Sequence, residues 1–268
     1  MTFEESMDRC NTQRNPSANW KVMEKAYNDY YLNYQGDRTP KIPKIIHQIW
    51  LGSPFPDKYK ILTDRWQEMH PDWTLILWDD DKIKNFGLTN QWMYDNTYNP
   101  ASKSDVARYE ILYSYGGVYV DTDFYCCKNL NDLLYLDFFG YAAGSYDKSA
   151  IPASLPQSLF GCSQGNELLA NVIRHIAQQS NVPHSIADII QITGPDMFTR
   201  EILKELDKHP MSVVFPPNYF TPFPGQFREN IRNLNFIDIP RCVSHYAYPE
   251  TYAIHLHYCS WQNPDLLK

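Results

Sequence analysis

Apolar and polar positions follow one another along the chain in patterns that predict strands and helices in turn. Residues 42–50 (IPKIIHQIW) and 73–80 (WTLILWDD) are short apolar runs rich in β-branched and aromatic side chains, as in buried parallel strands. Residues 58–69 are predicted to form a helix between them. Residues 101–117 predict the clearest helix of the chain, and residues 118–124 (VYVDTDF) predict the strand after it. This alternation indicates an α/β fold with a mostly parallel central sheet flanked by helices, an architecture that commonly binds nucleotides.

The pattern beyond the central segment is less regular. Helices are predicted over residues 166–179 and 196–208. Residues 210–240 contain the run FPPNYFTPFPG, which predicts irregular structure or an edge strand because proline cannot donate to a strand ladder.

The first 40 residues form a segment of their own. Apolar and aromatic side chains recur there at steps of three and four residues, which is the signature of one helix face. They are Trp20, Met23, Tyr27, Tyr30, Tyr31 and Tyr34. We predict a helical extension over residues 1–40 and an α/β domain over residues 41–268. The extension either packs on the main domain or offers this face to an acceptor, a partner or a lipid surface.

Composition narrows the class of protein. A chain of 268 residues with 43% hydrophobic residues can bury the core of one enzyme-sized domain. The formal net charge of −7, without a long basic run, argues against nucleic acid as a partner. The six cysteines lack metal-type spacing, which favours reduced thiols. With a polar, acidic N-terminus and no long apolar run, we expect a soluble cytoplasmic protein without a signal peptide or transmembrane segment, leaving peripheral membrane contact open.

Two carboxylates lie at the end of the strand predicted for residues 118–124. Because side chains alternate along a strand, Tyr119, Asp121 and Asp123 are predicted to share one face. Neighbouring carboxylates repel unless a cation lies between them. Their hard oxygen atoms suit Mg²⁺ or Mn²⁺, which keep positions open for phosphate oxygens. The pattern favours a divalent-metal site, with two solvated acidic side chains as the alternative.

The preceding helix brings two more charged side chains toward the same place. Asp105 and Arg108 lie three residues apart, so that both reach one spot on the helix face, and Gly116 with Gly117 turns the chain into the next strand. One helix–turn–strand unit thus presents an acid, a guanidinium and two carboxylates to a single ligand. The alternative is structural: Ser102 caps the helix, Asp105 completes its capping box and Arg108 forms a surface ion pair.

Four segments together resemble a known family. The run SDVARYEILYSYGGVYVDTD closely resembles the core signature of glycosyltransferase family 32, whose founding members are fungal α-1,6-mannosyltransferases. It is more distantly similar to the glucosylating domain of large clostridial toxins. The other matching segments are IPKIIHQIWLG (42–52), ITGPDMFT (192–199) and IHLHYCSW (254–261). The chain departs from the family at Gln157 or Ser158, where the family usually has Asn before the middle helix, a position that bears on the acceptor or sugar pocket.

This resemblance implies a GT-A fold and a metal-dependent transferase that retains anomeric configuration. A hexose would move from a nucleotide-sugar donor, a UDP-sugar or GDP-mannose, to a hydroxyl of a glycan or other acceptor, with Mn²⁺ or Mg²⁺ as the cofactor. Asp123 would bind the metal directly, and Asp121 would contact the metal or the ribose. Asp105 and Arg108 would hold hydroxyls of the donor sugar.

The resemblance implies roles for five more residues. Trp50 would stack on the base, with core packing as its alternative. His255 would be a third metal ligand, with His257 as a further metal ligand, an outer contact or a phosphate contact. Ser260 and Trp261 would close over the diphosphate, with simple packing as the alternative for Trp261.

Three functions are compatible with these residues. We favour a transferase with a front-face mechanism, in which the leaving phosphate helps to deprotonate the acceptor, because no further carboxylate stands out as a nucleophile. A nucleotide-sugar hydrolase would use the same donor site with water as acceptor. A catalytically inactive sugar-nucleotide or glycan-binding module is the third possibility, and the presence of Asp121, Asp123 and His255 argues against it.

Overall fold

The computed structural model describes residues 2–9, 18–144, 153–223 and 238–258. Its strands are short, from two to five residues each. In chain order they are β1 (Ile45–Ile49), β2 (Thr74–Trp78), β3 (Gly117–Val120), β4 (Phe124–Cys126), β5 (Phe138–Tyr141), β6 (Ala143–Gly144), β7 (Ala153–Ser154), β8 (Leu159–Cys162), β9 (Ser212–Phe215) and β10 (Ala253–His255).

Ten α-helices surround the strands in the described parts of the chain. They are α1 (Phe3–Arg9), α2 (Ala18–Tyr27), α3 (Asp57–Met69), α4 (Asp80–Phe86), α5 (Gln91–Asn96), α6 (Pro100–Tyr115), α7 (Glu167–Ala177), α8 (Ile186–Ile192), α9 (Pro195–Glu205) and α10 (Ile239–Tyr246). A π-helical turn (Asn28–Leu32) continues α2. None of the helices just described combines the length and apolar character needed to cross a membrane.

Six strands form the central sheet in the order β2–β1–β3–β8–β5–β9. The pairs β1–β2, β1–β3 and β5–β9 are parallel, whereas β8 is antiparallel to both of its neighbours. Five of the six strands therefore run in one direction. The predicted α/β fold with a mostly parallel sheet is confirmed. Two further pairs, β10–β4 and β6–β7, stand apart from this sheet.

The strand predicted over residues 118–124 is interrupted. β3 ends at Val120, and β4 begins only at Phe124 after a turn. The turn is closed by the Phe124 N–H, which donates to the Asp121 carbonyl at 3.3 Å, while the Asp121 N–H donates to the Ser158 carbonyl at 2.7 Å. The prediction that Asp121 and Asp123 share one face of a continuous strand was therefore wrong. The two carboxylates are brought together by a turn instead.

The start of α6 also differs from its prediction. Asn99 caps the helix, with its side chain accepting from the Ala101 N–H at 2.8 Å, and Pro100 occupies the first turn. Ser102 and Asp105 are buried inside the helix, so the capping-box interpretation was wrong. At the other end Gly116, with φ +64°, terminates the helix, and the chain turns into β3 as predicted.

Gly117 sets the close approach of β3 to β1. Its φ is +97°, and a Cβ there would lie 2.6 Å from the Ile45 carbonyl oxygen. His47 lies beside it, with Nε2 donating to the Gly116 carbonyl at 3.0 Å and Nδ1 accepting from the Trp78 indole N–H at 3.1 Å. These contacts give His47 a structural role between β3 and β2.

The N-terminal segment packs on the edge strand β9. Tyr27 is fully buried, its hydroxyl lies 2.8 Å from that of Tyr219, and the Tyr31 ring lies 4.7 Å from the Phe215 ring. Trp20 belongs to the same hydrophobic core as the central sheet. The packing face therefore matches the helical spacing of residues 20–34, while the domain division at residue 40 stays a prediction.

Candidate metal and donor site

Two acidic residues and one histidine converge beside the end of β3. Asp121 and Asp123 lie in the turn between β3 and β4, and His255 ends β10, directly opposite Phe124 in the antiparallel β10–β4 pair. One potential ligand atom from each of Asp121, Asp123 and His255 lies within 4.8 Å of the others. Strand pairing between distant parts of the chain thus forms a group that could hold a metal ion.

Asp123 is fixed by three contacts with the end of β10 and the residues that follow it. Its Oδ1 lies 3.2 Å from His255 Nε2, and its Oδ2 accepts from the Tyr258 N–H at 2.9 Å. Its carbonyl accepts from the Leu256 N–H at 2.9 Å. Burial acts to raise the pKa of Asp123, but the His255 charge and the hydrogen bonds from His255 and the Tyr258 N–H together lower it. The carboxylate is thereby kept ionised and oriented.

The His255 ring has a fixed position. It stacks on Phe124 with the ring centroids 4.3 Å apart and the planes 9° apart. Its Nε2 points to Asp123, and its buried Nδ1 has no hydrogen-bond partner in the described parts of the chain. The His257 ring lies 3.9 Å from the His255 ring, and its backbone has a φ of +54°. Such a φ is uncommon for a residue with a side chain, so the local fold holds His257 against His255.

Asp121 is held from the opposite side. The Tyr119 hydroxyl donates to its Oδ1 at 2.6 Å, and Arg108 Nη1 lies 3.6 Å from the same oxygen. Burial raises the pKa of Asp121, and the Arg108 charge opposes that rise. Its Oδ1 thus faces Tyr119 and Arg108, which leaves Oδ2 as the oxygen for another ligand.

Arg108 is buried and makes contacts through all three guanidinium nitrogens. Nε donates to the Ser104 carbonyl at 3.2 Å, Nη1 to the Gln157 carbonyl at 2.9 Å and Nη2 to the Ser104 hydroxyl at 3.0 Å. Nη2 also lies 3.1 Å from Asp105 Oδ1 in an ion pair. The guanidinium lies over the Tyr119 ring, 4.4 Å from its centroid. The guanidinium is therefore a fixed positive charge between the carboxylates of Asp105 and Asp121.

Asp105 lies behind Arg108 and is 3% exposed. Besides Arg108, its Oδ1 accepts from the Gln157 side-chain amide at 3.1 Å, and its Oδ2 accepts from the Thr193 hydroxyl at 3.2 Å. Burial raises the pKa of Asp105 to about 6, against the lowering effect of the Arg108 charge. Asp105 and Arg108 therefore lie side by side, next to Asp121, as their helical spacing predicts.

Trp50 lies at the end of β1 and is 9% exposed. Its indole N–H donates to the Ser53 hydroxyl at 3.1 Å, and its ring packs against Tyr59 and Phe55 at centroid distances of 5.0 and 5.6 Å. The ring is therefore packed between neighbours. Its role as a base platform stays a prediction. Ser260 and Trp261, predicted to close over the diphosphate, lie outside the described residues.

Sequence reasoning missed several partners of the predicted residues. The amide of Gln157, the hydroxyl of Thr193 and the backbone N–H of Tyr258 all bind site carboxylates. A backbone N–H carries no sequence signal. Gln157 lies where the chain departs from the family pattern, and Thr193 lies in the matching segment ITGPDMFT. Neither position indicated a contact with Asp105.

The residues present fit a divalent metal. Two carboxylates and one imidazole form a donor set that suits Mn²⁺ or Mg²⁺. Each ligand is oriented by a neighbouring group: Asp121 by Tyr119, Asp123 by the Tyr258 N–H and His255 by Phe124. Such supporting contacts are typical of metal sites.

The fold is that of known glycosyltransferase domains. The catalytic domain of alpha-toxin from Clostridium novyi aligns with 93% of this chain and 83% of its own, at a TM-score of 0.51 and 10% identity. A likeness at this identity shows the fold alone, and it agrees with the predicted GT-A architecture.

The sequence comparisons identify a glycosyltransferase region that contains Asp121 and Asp123. Residues 56–138 match the family described as "Glycosyltransferase sugar-binding region containing DXD motif". Inositol phosphoceramide mannosyltransferase 3 of Schizosaccharomyces pombe is 30% identical over 171 residues, which cover 62% of this chain and 46% of that protein. An uncharacterized glycosyltransferase of Acanthamoeba polyphaga mimivirus is 27% identical over 82% of this chain and 84% of its own.

These matches confirm the predicted resemblance. The chain carries the DXD-containing sugar-binding region of glycosyltransferases and is related to fungal mannosyltransferases, which supports the predicted enzyme class. The chain spans less than half the length of the fission yeast relatives that it matches. Their activities and substrates therefore enter only as proposals for this chain.

Proposed function

We propose that the protein is a metal-dependent, retaining glycosyltransferase. It moves a hexose from a nucleotide-sugar donor to a hydroxyl of a glycan or other acceptor. The observation that carries this proposal is the convergence of Asp121, Asp123 and His255 within 4.8 Å, beside the buried pair of Asp105 and Arg108. Both aspartates lie inside the region that matches the DXD family.

Asp121, Asp123 and His255 are the residues that would hold the metal. When bound, a divalent ion acts as a Lewis acid that stabilises the negative charge of a departing nucleoside diphosphate. The protein's part is to hold both carboxylates in a fixed orientation. The hydrogen bonds from Tyr119 to Asp121 and from the Tyr258 N–H to Asp123 do this.

Asp105 and Arg108 are proposed to bind the sugar of the donor. Their buried ion pair lies behind Asp121 and is joined to it by the contact of Arg108 with Asp121 at 3.6 Å. Charge-assisted hydrogen bonds from sugar hydroxyls to Asp105 would fix the ring and hence the anomeric carbon.

The proposed route is a front-face substitution. A double displacement needs a carboxylate free to attack the sugar. Asp105 is assigned to the hydroxyls of the donor sugar, and Asp121 and Asp123 are assigned to the metal, so no further carboxylate is left for this step. In the front-face route the leaving phosphate takes the acceptor's proton, so that no protein nucleophile is required.

The names of the relatives suggest which substrates to test first. The fission yeast relative is an inositol phosphoceramide mannosyltransferase, so we propose nucleotide-activated mannose as the first donor and an inositol-bearing glycolipid as the first acceptor. UDP-hexoses remain alternative donors. The net charge of −7 argues against a nucleic-acid partner.

The test is a panel of GDP-mannose and UDP-sugars with Mn²⁺, with and without acceptor. A donor present at about 100 times its Kd should stabilise the fold by about 2.7 kcal/mol in a thermal shift. Sugar on the acceptor supports a transferase, whereas free sugar at the same rate without acceptor supports the hydrolase. Binding without turnover supports the inactive module. Full turnover in excess EDTA contradicts the metal assignment.

A further inference from the structure

Thr193 lies at the point where the segment ITGPDMFT meets the predicted sugar-binding residues. It follows α8 and is fully buried. Its N–H donates to the Ile189 carbonyl at 3.1 Å, and its own carbonyl accepts from the Tyr109 hydroxyl at 2.8 Å. Its backbone is therefore held by its own helix on one side and by α6 on the other. This fixes the position of the Cβ atom from which its hydroxyl extends.

That hydroxyl has a single hydrogen and three oxygens within reach. Asp105 Oδ2 lies at 3.2 Å, Ser102 Oγ at 3.2 Å and the Ile189 carbonyl at 3.4 Å. A carboxylate is the strongest acceptor of the three, so Thr193 donates to Asp105. Ser102, whose hydroxyl is also buried, must then donate to Thr193. The result is a chain of two hydroxyls that ends on the carboxylate.

The hydrogen-bonded hydroxyls of Ser102 and Thr193 supply the donor to one particular oxygen of Asp105. Oδ1 already accepts from Gln157 and is ion-paired with Arg108, whereas Thr193 is the donor to Oδ2 among the described residues. Donors on both oxygens fix the rotation of a carboxylate about its last bond. Without Thr193 the group would be held at one oxygen only.

We propose that Thr193, supported by Ser102, is a positioning residue that fixes the Asp105 carboxylate for the donor sugar. The role rests on the proposed function, since it acts through the assigned task of Asp105. It concerns the sugar and the alignment of its anomeric carbon, not the nucleotide.

Thr193→Val tests this role because it keeps the side-chain shape and removes only the hydroxyl. We expect kcat/KM for the intact donor to fall about ten- to hundredfold, mainly through kcat, as for the loss of a hydrogen bond to a charged group. The Kd for nucleoside diphosphate without sugar should stay within about twofold of the wild-type value. Thr193→Ser, which keeps the hydroxyl, should recover most of the loss.

Thr97→Val is the matched control. Thr97 is also buried, at 2% exposure, and its hydroxyl has no hydrogen-bond partner in the described parts of the chain. Its substitution should leave both the kinetics and nucleotide binding unchanged. Equal losses in Thr193→Val and Thr193→Ser, or a Thr193→Val variant with wild-type kinetics, would overturn the positioning role.

A second measurement needs no substrate. With ¹³C-labelled aspartate carboxyls, and the Asp105 signal assigned through Asp105→Asn, the Asp105 titration midpoint should be higher in Thr193→Val than in wild type, because the ionised form loses a donor. The ionisable neighbours Arg108, Tyr109 and Asp121 are unchanged in this comparison. An unchanged midpoint overturns the contact. A wild-type protein that turns over no donor refutes the proposed function but leaves this titration to decide the role of Thr193.

Discussion

Asp123 and His255 face each other across the β4–β10 pair, with the Asp123 Oδ1 atom 3.2 Å from His255 Nε2. The two residues are far apart in sequence, and the antiparallel register that places His255 opposite Phe124 brings them together. The stack of His255 on Phe124 then holds the ring beside the turn that carries Asp123. The metal site therefore depends on the final strand as much as on the D-x-D segment.

The first prediction follows from this dependence on both strands. Asp123→Asn and His255→Asn should each weaken Mn²⁺ binding by more than about tenfold, the lower bound for loss of a residue that merely supports a metal ligand. Electron paramagnetic resonance of free Mn²⁺ during a titration measures this directly. Asp132→Asn, at an exposed position, is the control for a lost carboxylate. Unaltered Mn²⁺ binding in Asp123→Asn would remove Asp123 from the ligand set.

The central strands were predictable because their signal is local. The apolar run 73–80 does form a strand, although as the edge strand β2 it is only partly buried. The break of the strand after Val120 was not predictable, since VYVDTDF keeps a strand-like alternation throughout. The chain leaves the central sheet there because residues from Phe124 onward pair with β10, and that pairing is a long-range contact.

In the candidate site, too, local relationships were predictable from the sequence and long-range contacts were not. The spacing of Asp105 and Arg108 correctly placed them together, because three residues along a helix is a local relationship. The cap was assigned to Ser102 although Asn99 and Pro100 gave the stronger signal for a helix start. The contact of Thr193 with Asp105 spans 88 positions, and no local pattern reports it.

The second prediction concerns Trp50, whose ring packs between Phe55 and Tyr59. Trp50→Ala should lower the free energy of unfolding by about 3–5 kcal/mol because it leaves a large cavity. If the ring also carries the base, nucleotide affinity per folded molecule should fall by a further ~1–3 kcal/mol. Chemical denaturation and nucleotide titration on the same sample separate the two effects. Unchanged affinity in the folded fraction would leave Trp50 with packing alone.

The third prediction concerns stability in acid. His47 is fully buried between Trp78 and Gly116, and burial lowers its pKa from 6.5 to about 4. The unfolded chain therefore binds a proton at His47 below pH ~6.5 while the folded chain does not. The stability that this histidine contributes is lost as pH falls from about 6.5 to about 4, by roughly 3 kcal/mol in total.

Comparison with His47→Gln isolates this effect. The variant should be less stable at pH 7.5, yet the difference between the two proteins should shrink as pH falls toward 4. Asp105, whose pKa is raised, acts in the opposite direction, but it is present in both proteins and cancels in the difference. Urea denaturation at pH 7.5, 6 and 5 provides the measurement. A difference that stays constant with pH would show that His47 is not buried in its neutral form.

The fourth prediction separates sugar binding from nucleotide binding at Asp105. Asp105 is inside α6 and caps nothing, so its substitution should not act through the helix start. Asp105→Asn should bind free nucleotide about as well as wild type, whereas the intact donor should lose ~1.5–3 kcal/mol with its charge-assisted hydrogen bonds. The fall in kcat should exceed the fall in affinity, because a loosely held anomeric carbon loses its alignment with the acceptor.

The pH profile gives the same assignment a second test. Burial raises the pKa of Asp105 to about 6. As pH falls through 6, Asp105 becomes protonated and loses its charge-assisted hydrogen bonds from the sugar hydroxyls. Wild-type kcat/KM should decline on the acid side with a midpoint near this value, and the residual activity of Asp105→Asn should lack that step. Asp132→Asn again serves as the control and should keep the wild-type profile. If Asp105→Asn kept both the wild-type turnover and its acid limb, Asp105 would be only a buried partner of Arg108, and the sugar would have to be held by other residues.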